Sequence, residues 1–195
     1  MNKFLLILLF AVLATTAKAQ FYSVKTNLLG LATTNLNVEA GISVHRNWSL
    51  HLPVNYNPWV FSGNKRFQNI TVEPGARYWF LESFSQGFIG FQSIYSRFHV
   101  GGTGKYRYDG YGLGVGISYG YSKVLNKRWN LEFEAGLGVL WADYTKYLCK
   151  TCGAPQGNEK KVYLIPSKAS ISLGLSLLTT MLWQRNIDIY ILLFC

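Results

Sequence analysis

Glu132 and Glu134 stand two residues apart in the stretch WNLEFEAGLGVLW, and in an extended strand that spacing turns both carboxylates to one face. Two carboxylates can divide acid and base work, so the pair is the first candidate for chemistry. Cys149-Lys-Thr-Cys152 is the second. Two thiols this close in an exported chain favour a small loop disulfide, with a reduced pair or a metal or redox site as the alternatives. Structural zinc wants four ligands, whereas Cys195, His45, His51 and His99 are scattered. A thioredoxin-like role needs the motif at a helix start after a strand, a context the sequence lacks. His99 with Ser93 and Ser96 nearby is the third candidate, but no nucleophile elbow or ordered triad accompanies it. GGTGKYRYDG lacks the Walker pattern and the following helix of a phosphate loop.

Carboxylates need elements to aim them, and alternation of large apolar with small or polar residues runs through most of the chain. It predicts strands near 22–32, 35–45, 48–58, 68–79, 87–99, 110–122, 129–143 and 163–177, each bounded by turn or loop residues. Eight long strands with adjacent connections are the pattern of an all-β, antiparallel up-and-down barrel, the fold class expected here. YGLGVGISYGY, residues 111–121, has the cleanest faces: every odd position is large, and every even one is Gly or Ser.

A soluble barrel would turn the apolar face inward, and a membrane barrel would turn it to lipid. The polar face decides between them. In the six strands with clear parity, nine of its thirty positions are Gly and six are charged. Gly weakens a water-facing strand by up to about 1 kcal/mol, whereas in a narrow eight-stranded interior it leaves room for long charged side chains. The expectation is a transmembrane barrel with Leu113, Val115, Ile117, Leu131, Phe133 and Leu137 facing lipid. Lys25, Glu39, Glu73, Arg77, Glu132, Glu134 and Lys168 should then pair in an ionic network that fills the lumen. Acid–base catalysis by Glu132 and Glu134 becomes the alternative to that structural role.

Trp48, Trp59, Trp79, Trp129 and Trp141 fall near strand ends, where an interfacial girdle would lie. HRN, FLESFSQ and SKVLNKR are compact connections, expected on the periplasmic side. FSGNKRFQ, GGTGKYRYDG and KYLCKTCGAPQGNEKK are longer and expected outside.

The start of the chain fits this location. Residues 1–19 read as a signal peptide, with Lys3, an apolar run from Phe4 to Ala14, and the Ala17-Lys18-Ala19 cleavage site. Loss of Lys3 and Lys18 with the leader leaves seventeen basic against nine acidic residues, a net +8. The basic residues gather in connections, which points to anionic lipid head groups or lipopolysaccharide phosphates, with plainly solvated loops as the alternative. No nucleic-acid partner is expected for an exported chain. No 18-residue apolar run follows the leader, which excludes an ordinary transmembrane helix but not a barrel. Eight strands leave no aqueous channel, which argues against a porin.

Four segments carry a resemblance: FYSVKTNLLGLATTNLNVEAGISVHRNWSLHLPVNYNPW, GARYWF, CKTCG and IPSKASISLGLSL. Over about residues 21–177 they resemble an uncharacterised family of bacterial outer-membrane β-barrel proteins, catalogued as a domain of unknown function. The general shape is also similar to the OmpA-type eight-stranded transmembrane domain. The resemblance implies no catalytic residue. Some relatives are encoded beside fimbria genes, which implies an envelope or fimbria-assembly role.

The expected domains are the signal peptide at 1–19, the barrel at 20–177 and an atypical extension at 178–195. LLTTMLWQRNIDIYILLFC continues where the family would stop, as an extra strand or, as we favour, the product of a frameshift. The expected protein is a non-enzymatic outer-membrane barrel without cofactor or metal. Its partners would be membrane lipid and lipopolysaccharide, the barrel-assembly machinery and envelope or fimbrial proteins. It would act through Phe61 to Phe67, Gly101 to Asp109 and Lys146 to Lys161. The alternatives are a lipid-active outer-membrane hydrolase using His99 and a soluble periplasmic ligand-binding barrel.

Overall fold

The computed structural model describes residues 21–178, apart from 64, 103–105, 127 and 149–154. The expected leader, the expected Cys149–Cys152 disulfide and the expected extension from residue 179 on lie outside the described residues. The described chain is almost entirely strand: β1 (Phe21–Asn27), β2 (Leu36–His45), β3 (Trp48–Asn57), β4 (Val60–Phe61), β5 (Lys65–Val72), β6 (Gly75–Trp79), β7 (Gln86–Gly101), β8 (Arg107–Val124), β9 (Trp129–Tyr147) and β10 (Pro155–Leu178). One short helix, α1 (Leu28–Ala32), follows β1.

All pairings are antiparallel, and they close on themselves. β1 lies between β10 and β2, β2 pairs with β3, β3 with both β5 and β6, and these with β7; β8 and β9 then lead back to β10. β5 and β6 occupy one position in this ring, where the alternation predicts the single strand 68–79. Its interruption falls at Glu73-Pro74, where proline has no N–H for a ladder bond. The backbone N–H of Glu73 turns instead to the carbonyl of Pro53, at 3.1 Å, and the carbonyl of Pro74 accepts from Ser93.

Two other expectations are corrected. The first strand stops at Asn27 rather than reaching 32, because the Asn27 side chain accepts from the Leu29 N–H and caps α1. Strand reaches into all three long connections: β5 begins at Lys65, β8 at Arg107, and the β9–β10 pair runs to Tyr147 and from Pro155. At this end β7 to β10 stand out as a long arm. The opposite end carries the compact turns.

Alternation inverts the usual order of inside and outside. Ile117 and Leu137 are 60% and 61% exposed, whereas Lys25 and Glu132 are 2% and 1% exposed. Closing the ring around charged side chains requires space, and glycine supplies it. A methyl group on Gly120 would run into the Phe88 ring, one on Gly174 into Asn130 and the Lys25 stem, and one on Gly90 into the Ser118 hydroxyl. Gly112 faces only the movable end of Leu140, at 3.0 Å. Gly120→Val should therefore cost at least about 1–3 kcal/mol by overpacking, and Gly112→Ala much less. Urea midpoints followed by tryptophan fluorescence check this, and equal midpoints would contradict the packing.

Candidate functional site

The predicted charged residues meet inside the ring, around Arg77. β6 sends Arg77 and Trp79 inward and Tyr78, which stands between them, outward. Its Nη1 lies 2.7 Å from Glu39 Oε1 on β2 and 3.1 Å from Glu132 Oε1 on β9, while Nη2 lies 2.6 Å from Glu134 Oε2. Lys25 on β1 reaches Glu132 Oε2 at 2.5 Å and Glu39 Oε1 at 3.8 Å. Lys168 and Glu73 pair separately, at 2.7 Å, nearer the long-arm end. All seven predicted network residues thus lie inside and are paired.

Glu132 and Glu134 do not form a free acid–base pair. Each is spent on cations, and Glu134 also accepts the Ser118 hydroxyl at 2.6 Å. The β8–β9 register sets Glu134 opposite Gly120 and Glu132 opposite Ser122, so large side chains face small ones.

Sequence reasoning missed the neutral part of this network. The Trp79 indole N–H donates to Ser49 Oγ at 2.7 Å, and Ser49 Oγ lies 2.6 Å from His51 Nε2. His51 Nδ1 faces Glu39 at 2.8 Å. His51 Nδ1 also lies 2.9 Å from Arg77 Nη1, so the ring sits between Ser49 on one side and the Glu39–Arg77 ion pair on the other. The signal was available, since His51 shares Glu39's polar face by parity. A histidine alone in sequence gave no reason to connect it to a tryptophan thirty residues away.

Trp79 also corrects the expected aromatic girdle. It is fully buried, with its ring 4.5 Å from that of Phe88 and 5.7 Å from that of Phe84. Phe84, at φ +67°, folds in from the turn after β6, and Lys25 Nζ lies 5.3 Å from its ring centre. These aromatics plug the interior at the short-turn end. Trp48, Trp59, Trp129 and Trp141 are on the outside, as are Leu113, Val115, Ile117, Phe133 and Leu137; Leu131 is half-buried.

Above the ions lies a polar vestibule of about 210 Å³, walled by Asn27, Asn37, Asn55, Asn69, Thr71 and Ser170 among others. The third candidate for chemistry does not assemble. His99 pairs with Asp109, at 3.3 Å, whereas the Ser96 hydroxyl meets Thr71 at 2.8 Å three residues away and on the other face of β7. Among the described residues no group of three or more His, Cys, Asp or Glu could hold a metal ion.

At the tip of the arm, Tyr144 Oη lies 3.1 Å from Tyr163 Oη and 3.2 Å from Glu159. The bond to Tyr163, and then burial, pushes the Tyr144 phenol up to about 12, so it stays neutral. Bonds from Lys161 and then Tyr144 hold Glu159 below its ordinary carboxylate value.

Fold and site together define an all-β protein whose antiparallel strands close around an ionic interior. The chain belongs to the family described as "Protein of unknown function (DUF3575)", whose model matches residues 4–177. No curated protein matches it.

Because Arg77 holds three carboxylates with almost no water access, Arg77→Met should destabilise the fold by about 3–5 kcal/mol. Lys168→Met, which frees one carboxylate beside the open vestibule, should cost less. Chemical unfolding midpoints of the two variants measure the difference, and the reverse order would contradict the arrangement.

Proposed function

We propose that the chain is an eight-stranded transmembrane β-barrel of the bacterial outer membrane, exported by its N-terminal leader and without catalytic activity. One observation carries this reading: large apolar side chains cover the outside of a ring whose inside is ionic. Tyr111, Leu113, Val115, Ile117, Tyr119 and Tyr121 are all 43–60% exposed on β8 alone. In water such a surface would drive association; in a bilayer it is the contact surface. Exposed Trp48 and Trp129 at one end of the apolar belt and Trp141 at the other suit the two interfaces.

The interior gives no conduit, since Arg77 and its carboxylates fill it and the aromatic plug closes one end. What remains for function is the long-arm end, with the β4–β5 hairpin and the residues between 101 and 109 and between 146 and 161. Its lysines suit lipopolysaccharide phosphates and acidic partners. We assign it a structural, adhesive or envelope-assembly role, with fimbrial proteins as candidate partners and the barrel-assembly machinery as the route of insertion.

Membrane fractionation with gel migration before and after heating tests the reading. The expected result is recovery in the outer membrane with a compact form that shifts on heating, and recovery in the soluble periplasm would overturn it. Leu113→Lys and Ile117→Lys should each lower the stability of the inserted protein by about 2–4 kcal/mol near the bilayer midplane. Refolding into lipid vesicles measures this, and unchanged stability for both would reverse the face assignment.

A further inference from the structure

The inward face changes character along the arm. Near Arg77 it is ionic, but beyond Gln92 the inward positions become Phe98 and Val100 on β7, Tyr108 on β8, and Leu140, Ala142 and Tyr144 on β9. β10 would lose this phase if it kept the alternation of Lys168, Ser170 and Ser172. A register shift between Pro166 and Lys168 resets it, so Ile165 and Tyr163 stand opposite Gly138 and Leu140 on the inner face. On β8 this face carries Gly110, Gly112 and Gly114, against which Tyr144 and Leu140 of β9 pack. The result is a cavity of about 480 Å³ with an apolar wall, drawn only from β7 to β10. That volume is within the range of about 300–1,000 Å³ usual for small-molecule pockets.

Its position limits what can fill it. β1 pairs with β10 only from Ser172 onward, and Asn27 beside α1 reaches Ala169 and Ile171. Among the described residues no strand pairs with the other edge of β10 from Pro155 to Pro166, so the cavity lies beside an open flank of the wall. That flank is level with Trp141, Val162 and Leu164, outward apolar residues of the arm, and Leu164 is 76% exposed. Just beyond them, Arg107, Lys146, Lys160 and Lys161 outnumber Asp143 and Glu159 around the mouth. An apolar chain admitted from the side would place its head group among these cations.

We propose that this cavity binds the aliphatic chain of an anionic lipid taken from the surrounding leaflet, with the head group held by Lys160 and Lys161. The proposal rests on the membrane reading above, and its test separates the two. The full-length protein is placed in phosphatidylcholine nanodiscs, with the heat-dependent gel shift recorded on each sample to report the folded barrel independently. The probe is 11-(dansylamino)undecanoate, whose fluorescence rises in an apolar site.

Wild type is expected to bind the probe saturably and to release it when phosphatidylglycerol is added to the disc. Ala142→Phe, which fills the cavity, should weaken the probe at least tenfold. Lys161→Glu reverses the charge at the cavity mouth, at a side chain that also pairs with Glu159 at 2.8 Å, and should weaken the probe several-fold while leaving competition by neutral dodecanol unchanged. A protein that keeps its gel shift but gives the same signal as empty discs overturns the proposal and leaves the membrane reading standing. So does equal binding by wild type and Ala142→Phe. Displacement by dodecanoate added from water but never by phosphatidylglycerol overturns the membrane source. Displacement by an extended apolar peptide and by no lipid would assign the open β10 edge to strand addition instead.

Discussion

A guanidinium enclosed by protein is tolerable only when carboxylates surround it, and the position of Arg77 sets that condition for the whole ring. Its partners come from β2 and β9, far from β6 in sequence, and Lys25 brings in β1. No pair of neighbouring strands could satisfy it. The ring must close, and it must close in one register, because a slip of one residue in β9 would turn Glu132 and Glu134 to the outside and bring Phe133 in. The ionic cluster contributes less as stabilising energy than as a penalty on every other pairing.

Enclosing long charged side chains within so few strands leaves little space, and the glycines are distributed accordingly. Gly120, Gly90 and Gly174 stand where Phe88, the Arg77 cluster and the Lys25 stem need room. The same run of small residues continues along β8 to Gly110, where Leu140 and Tyr144 of the apolar cavity wall pack against it. One sequence feature, a strand with a bare face, thus has two consequences that depend on what stands opposite.

From the short-turn end the interior passes through aromatic, ionic, amide-rich and apolar layers. In the ionic layer the groups satisfy one another: the Trp79 indole holds Ser49, Ser49 faces His51, and His51 faces Glu39. Such a chain uses the donors and acceptors of neutral groups to finish what the ion pairs leave over, as burial without water demands.

Period-two alternation determined much of this in advance. It gave the strands, their two faces, and the seven charged residues that share the inner one, since parity alone assigns a side chain to a face. It did not give the break at Glu73-Pro74, the helix capped by Asn27, or the strand-like continuation of the supposed long loops, where polar composition resembles that of turns. It misplaced Trp79, because an aromatic near a strand end can as well plug the interior as lie at a surface. It missed His51 because a lone histidine has no chemistry until its neighbours are known. Which carboxylate meets which cation, and that the inner face turns apolar beyond the ions, were decided only by closure of the ring. Parity fixes the side of a sheet, but registers between distant strands, and one shift at Pro166 to Lys168, fix who stands opposite whom.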